Sequence, residues 1–177
     1  MAYTNVNDLS TLVTVTEVKN TIASANFDGS LITNDIIKIA EITHIEKTIS
    51  REFYEELVTQ HHAASLNPYN QTLMDDYLVR TLSWFVKLEV LNDVMYSTTS
   101  SGIMQNIDDF STGVSPKQFD LIKQDVSRKA NLFLQDMLDF LNDDAIIVNY
   151  PTYKSNRTEV NVMNNDTTNK AHGIIFH

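Results

Sequence analysis

Residues 70–97 read NQTLMDDYLVRTLSWFVKLEVLNDVMYS, and this stretch decides the fold. Leu78, Leu82, Phe85, Leu88, Leu91 and Met95 recur at spacings of three and four, which is one stripe of an α-helix. Tyr77, Trp84, Val86 and Val90 widen that stripe. The polar strip of Arg80, Ser83, Lys87 and Asp93 is narrow. A helix that is apolar over most of its circumference belongs at the centre of a bundle.

Working outward, Ser65 to Asn70 reads as a turn, because Pro68 fixes its own φ and disfavours helix at Asn67. Upstream, a helix begins near Asn34, with Ile39, Ile42, Ile45, Ile49 and Phe53 as its predicted stripe. A break falls near Ile49-Ser50, and helix resumes from Arg51 to about His62. Thr14 and Glu17 have capping-box spacing, which predicts a short helix over 15–22. Asn26 to Ser30 reads as a turn, with Gly29 able to take positive φ. Downstream, residues 98–114 form a predicted loop that holds Gly102, Asp108, Asp109 and Gly113. Ser115-Pro116-Lys117-Gln118 then opens a last helix, with Ser115 as cap and Pro116 at the first helical position. Phe119, Ile122, Val126, Ala130, Phe133, Met137 and Leu141 carry its core stripe, and Asp125 and Lys129 pair on its outer face.

The predicted fold is therefore mainly α. It is a helical bundle of about four to five helices with an extended, partly β C-terminal arm. Residues 1–32 form an N-terminal segment with a short helix, 33–141 the bundle core, and 142–177 the arm. The arm is rich in Asn and Thr, and a segment of that composition gains order by lying on another surface. Ala145 to Val148 and Tyr150-Pro151-Thr152-Tyr153 read as extended, Glu159 to Val162 alternates as a strand does, and Gly173 to Phe176 is an apolar strand candidate.

Net charge is -10, carried mostly by the helical part. Such a body repels nucleic-acid backbones, which need clustered Lys and Arg. Either solubility alone or a surface that DNA must pass without sticking explains the acid. With Cys 0, disulfides and thiolate metal sites are excluded. No apolar run approaches the ~20 residues that span a bilayer. The first residues lack the basic start and apolar stretch of a signal peptide, so the expected compartment is a cytoplasm.

Chemistry-bearing constellations are weak. His61 and His62 are adjacent and diverge on a helix; His44, His172 and His177 have no local ligand partner; all are expected to face solvent. Glu55-Glu56, Asp75-Asp76, Asp108-Asp109 and Asp143-Asp144 read as solvated faces or helix ends. There is no Gly-x-Ser-x-Gly and no phosphate-cradling glycine loop. No catalytic residue, cofactor or metal is expected, and the protein is read as no enzyme. The tail aromatics Tyr150, Tyr153 and Phe176 either pack back on their own bundle or insert into a neighbouring subunit, as extended recognition arms do.

The order of these elements resembles the head–tail connector, or head-completion ring, proteins of tailed bacteriophages, nearest to those of crAss-like Bacteroides phages. Leu12 to Lys19 looks like the family's opening short helix, and Ile36 to Glu46 with Arg51 to Leu57 like its first long helix and the short one after it. Asn70 to Met95 looks like the central helix, Ser101-Gly102-Ile103 like the glycine-containing interhelix loop, Phe119 to Leu141 like the final helix, and Tyr150 to Tyr153 like the extended exit. The family's Leu-Gly-like break between its first helices is replaced here by Ile49-Ser50.

The resemblance implies a structural virion protein made in a bacterial cytoplasm. It would form a homo-oligomeric ring, most often a dodecamer, on the portal protein, joining capsid to tail. DNA would only pass through the channel, and no membrane would be involved. Expected partner-binding residues are Gly102, Ile103, Asp108 and Asp109 in the loop, and Tyr150, Pro151, Tyr153, Val160, Val162, Ile174, Ile175 and Phe176 in the arm, reaching the portal or neighbouring connector and tail proteins. The alternative is a cytoplasmic helical protein-binding or regulatory module with a disordered tail.

Overall fold

The computed structural model describes residues 10–22, 29–99, 102–105 and 116–156, with residues 94–99, 102–105 and 116 described by backbone alone. The chain is mainly helical. Among the described residues the helices are α1 (Val15–Ile22), α2 (Asn34–Ala40), α3 (Lys47–Ile49), α4 (Arg51–His62), α5 (Pro68–Leu73), α6 (Val79–Met95) and α7 (Pro116–Asn142), with a further helical stretch over 151–156. A π-helical turn over Glu41–Glu46 joins α2 to α3, and another over Met74–Leu78 joins α5 to α6. Among the described residues no helix is long and apolar enough to cross a membrane.

The helix starts follow local chemistry. At α1 the Glu17 carboxylate accepts from the Thr14 N–H at 2.7 Å, while Thr14 Oγ1 accepts from the Glu17 N–H at 3.2 Å. This reciprocal box covers donors that have no intrahelical partner. Asn67 caps α5 by accepting from the Asn70 N–H at 2.8 Å, with Pro68 at the first helical position. The expected break at Ile49-Ser50 is sharp: Ser50 has φ 76° and ψ 153° and caps α4 through Phe53. Gly29 opens a short 3-10 turn (Gly29–Leu31) without the expected left-handed backbone. A Cβ there would meet the end of the Lys19 side chain at 2.9 Å, a contact that this flexible side chain relieves by shifting.

The two π turns correct the predicted stripes. In the first rod the buried row is Ile37, Glu41, Ile45 and Ile49, whereas Ile39 is 51% and Ile42 43% exposed. An ordinary α-helix drifts relative to a spacing of four, and the wider π turn takes up that drift, so every fourth residue keeps facing inward. In the second rod the π turn acts only as far as Leu78; beyond it α6 is an ordinary helix buried on several sides, with Thr81, Leu82, Ser83, Phe85 and Val86 all buried. Asn70, Met74, Leu78, Leu82, Val86 and Val90 are buried, while Leu88 and Leu91 are half-buried. Ser83, expected on the polar strip, is buried and donates to the Val79 carbonyl at 2.6 Å.

As expected of the central helix, α6 packs against α1, α2 and α7. Helices α6 and α7 run antiparallel: Tyr77 stacks on Phe140 at 4.3 Å between ring centroids, and Trp84 on Phe133 at 6.2 Å. Extending that pairing sets the end of α6 opposite the neighbourhood of Ile122. The first turns of α7 therefore run past α6, which is why Ile122 is exposed although Val126, Ala130, Met137 and Leu141 are buried. Beyond α6 the expected loop begins as a hairpin, β1 (Tyr96–Thr99) paired antiparallel with β2 (Gly102–Gln105), with Thr99 opposite Gly102.

The C-terminal expectation needs the largest correction. Residues 142–156 are neither extended nor β: a turn leads into a 3-10 turn (Ile147–Asn149), and residues 151–156 are helical. Ile147, Tyr150 and Tyr153 recur at a spacing of three, and all three side chains are buried in the bundle's own core. That burial overrides the β propensity of the branched run. Pro151 sits where a first helical position accepts proline.

Candidate functional site

The expected contact residues separate into two distant groups. Gly102 and Ile103 lie on β2, beyond the end of α6. Tyr150 instead packs edge-on against Phe140, near the start of the same rod, and donates to the Tyr69 carbonyl at 2.7 Å. From Tyr77 to the hairpin is about 28 Å at the helical rise. Tyr150, at 2% exposure, and the buried Tyr153 cannot anchor a partner in this conformation; they fill the core around Phe53. Pro151 is exposed. Asp108, Asp109, Val160, Val162, Ile174, Ile175 and Phe176 lie outside the described residues.

Two polar clusters were not legible as sites in the sequence. The first centres on Glu41, which has no exposed surface. Its Oε1 accepts from the Leu12 N–H at 2.5 Å, and its Oε2 accepts from the Tyr54 hydroxyl at 2.8 Å and from Lys38 Nζ at 3.4 Å. Lys38 also donates to the Ser10 carbonyl at 3.1 Å. Burial pushes the Glu41 carboxyl above its usual range, opposed by the bonds from Tyr54, Leu12 and Lys38. Burial and the neighbouring carboxylate push the Tyr54 phenol up as well. Both oxygens are occupied and closed from solvent, so this cluster fastens residues 10–13 to α2 and α4 and offers no substrate access. One signal was present: Glu41 sits four residues from both Ile37 and Ile45, in the row that faces the core.

The second cluster surrounds Glu56, expected to be a solvated carboxylate. Its Oε1 accepts from Gln60 at 3.0 Å and its Oε2 from the Thr152 hydroxyl at 2.6 Å. Asn70, buried, donates to Gln60 Oε1 at 2.9 Å. Together with the Asn156 amide on Ser50 Oγ at 2.9 Å, these bonds fix residues 150–156 to α4 and α5.

The histidines also depart from expectation. His44 is half-buried, its ring stacked on Phe85 with centroids 4.0 Å apart, and its Nε2 lies 2.8 Å from Glu89 Oε1. His61 lines a shallow cleft with Glu17, Gln71 and Asp75, while His62 is exposed. Among the described residues no three His, Asp or Glu side chains converge as metal ligands.

The most distinctive surface lies along α6 and α7. Lys87 Nζ and Lys129 Nζ each stand 5.2 Å from the centroid of Trp84, and the Arg80 guanidinium is 5.5 Å from that of Phe133. Partial burial, followed by the like charge of Lys129, lowers the Lys87 ammonium below its usual range. Asp125 accepts from Lys129 at 2.6 Å and Arg128 at 2.9 Å, and these bonds hold its carboxyl below the usual range. On the outer ridge of α7, Leu121 and Leu132 are 58% and 57% exposed. This face is a cation–aromatic patch edged by uncovered leucines. Among the described residues this face is open and has no enclosed cavity.

No curated protein and no solved structure matches the chain. A family model does match, over residues 45–161, and so covers α3 to α7 and the packed C-terminal segment. The chain belongs to that family, which is described as a family of unknown function, DUF6712.

Proposed function

We propose that the chain is a structural virion protein of a tailed bacteriophage, a head–tail connector subunit. Copies form a ring under the portal, join the capsid to the tail and extend the DNA channel. The observation that carries this reading is the backbone at Ser50. The connector resemblance implies a glycine-type break between the first helices, and Ser50 holds φ 76° and ψ 153°, a conformation that glycine adopts without strain. The helix order supports the same reading, and the leucines left uncovered on α7 suit a protein that works in an assembly. Contacts to the portal and tail fall to the hairpin end, with Gly102 and Ile103, and to residues 157–177.

Mass spectrometry of purified virions of the encoding phage, with imaging of their neck, tests the proposal. The chain is expected in a ring directly beneath the portal. Complete, infectious particles that lack it would overturn the reading.

The burial of Tyr150 and Tyr153 favours a second reading, a cytoplasmic helical protein-binding module, because it removes two of the expected arm anchors. That reading expects the protein in infected-cell extracts and not in particles.

A further inference from the structure

The α6–α7 pair is acidic at one end, whereas further along it Lys and Arg stand among Glu89, Asp93, Asp120 and Asp125. Residues 68–79 and 130–150 contain Asp75, Asp76, Asp136, Asp139, Asp143 and Asp144 and not one Lys or Arg. These six carboxylates are exposed and lie at one end of the pair, where Tyr77 stacks on Phe140. Asp136, Asp139 and Asp143 recur at spacings of three and four, so they share a side of α7 and its exit. Further along the same two helices Lys87 and Lys129 stand on Trp84 and Arg80 on Phe133, with Arg128 next to Lys129 and Asp125 paired to both of these.

Within one molecule Arg80 stands level with Asp136, by the register of Tyr77 on Phe140 and Trp84 on Phe133, whereas the lysines on Trp84 lie farther from the acidic end. Lys129 and Asp139 are roughly 15 Å apart along the helix. That is nearly twice the Debye length of ~8 Å at physiological salt. Against a net charge of -10, a concentrated cationic face is also the place where another copy can approach with the least repulsion.

We infer that the cation–aromatic face of α6 and α7 receives the acidic end of a second copy of this chain, in a head-to-tail contact. The acceptor side offers Lys87 and Lys129 around Trp84, with Leu121 and Leu132 as apolar rim. The donor side offers Asp136 and Asp139, with Asp143 along the same side of α7 and its exit. A head-to-tail contact leaves one unused face of each kind on every pair, so it propagates and closes into a ring when the rotation permits. In that respect the inference rests on the ring reading, although the contact itself is defined by this chain alone. Nucleic acid is the other polyanion that could seek the patch, and the acidic remainder of the molecule opposes it.

Sedimentation velocity of the full-length protein tests the contact. At low salt the wild type is expected to form species larger than a dimer, and these should dissociate in ~1 M salt, where the Debye length is ~3 Å. Lys87→Glu/Lys129→Glu and Asp136→Lys/Asp139→Lys should each weaken self-association by more than about tenfold, since each sets like charges against each other. Mixing the two variants should restore assembly, because each then carries the complement of the other. Restoration also excludes misfolding as the reason for the single losses. A wild type that stays monomeric at low salt, a species that stops at two copies, variants that associate as the wild type does, or a mixture that fails to associate would each overturn the inference. A nucleic-acid duplex that binds the patch more tightly than a second copy does would overturn it as well. Particles that contain the chain but assemble equally well with either variant would sink this contact and leave the connector reading standing. Particles without the chain would do the reverse.

Discussion

Residues 10–13 and residues 147–156 both close the core from outside the main helices, the first on a buried carboxylate and the second on two buried tyrosines. At the N-terminal flank, Leu12 and Val13 are buried, and the backbone is fixed by Glu41 and Lys38. At the C-terminal flank, Tyr150 and Tyr153 fill space against Phe53, and polar bonds to Tyr69, Glu56 and Ser50 sit at the edge. An aromatic clamp depends on volume and is indifferent to pH. A buried carboxylate depends on hydrogen bonds and titrates. The two flanks should therefore fail under different insults.

The largest effect is expected at the aromatic clamp. Tyr150→Ala removes a buried ring and should cost ~3–5 kcal/mol in urea unfolding, as large-to-small core substitutions do. A loss below ~1 kcal/mol would mean that residues 147–156 contribute little to the core. Glu41→Ala comes next, at about 3 kcal/mol, because it strands the Leu12 N–H and removes the counter-charge of Lys38, which keeps only its bonds to the Ser10 carbonyl and the Tyr54 hydroxyl. The pH response separates the two flanks further. Burial raises the Glu41 carboxyl above its ordinary value of 4.5. Between 4.5 and that raised value the folded state holds a proton that the unfolded state has released, so stability falls as pH rises through the window and levels off above it. Glu41→Gln cannot titrate and should lose this slope, whereas Tyr150→Ala should keep it. Parallel pH profiles for wild type and Glu41→Gln would show that the carboxyl is not buried as described.

The same contrast explains what could be read from the sequence. The start of α1 was legible, since Thr14 and Glu17 act within one turn of their own chain, whereas the reading of residues 65–70 as a turn missed that α5 already begins at Pro68 with Asn67 as its cap. The central place of residues 70–95 was legible because an all-round apolar helix has nowhere else to go. Which residues faced inward was less so. Two π turns each shift the register, and no local pattern announces them, so Ile39 and Ile42 were assigned inward and stand exposed. The polar clusters were illegible for another reason. Glu41 and Tyr54 are 13 positions apart and Glu56 and Thr152 are 96 apart, so nothing local marks either pair. The C-terminal segment was misread because its β-branched run and polar composition are local signals, whereas its conformation is set by tertiary burial of Tyr150 and Tyr153. Of the expected contact residues, the structure relocates the two tyrosines to the core, and it describes Gly102 and Ile103 by backbone on the hairpin.

A smaller effect should come from the edge of the clamp. Thr152→Val keeps the shape and removes the hydroxyl that donates to Glu56 at 2.6 Å. A bond to an ionised acceptor contributes about 1.5–3 kcal/mol, and Glu56 keeps its bond from Gln60, so the lower figure is expected. If Thr152→Val proves neutral in thermal unfolding, the C-terminal flank is held by its aromatics alone.

The smallest effect is the most discriminating, because three terms nearly cancel at Ser50. Its backbone conformation costs a non-glycine residue on the order of 1–3 kcal/mol. Its hydroxyl accepts from the Phe53 N–H at 3.4 Å as helix cap and from the Asn156 amide at 2.9 Å. Ser50→Gly relieves the strain and loses both bonds, and glycine adds an entropic cost of roughly 0.5–1 kcal/mol, so it should fall within about 1 kcal/mol of the wild type. Ser50→Ala keeps the strain and loses the same bonds, so it should be less stable than Ser50→Gly by about 1–2 kcal/mol. The order of the two variants matters more than either value. Glycine above alanine means that the break between α3 and α4 is set by backbone conformation, with the serine hydroxyl offsetting the strain by tying the C-terminal flank to it. Alanine equal to or above glycine would mean that the chain does not hold φ 76° there in solution, and the tie between Ser50 and Asn156 would go with it.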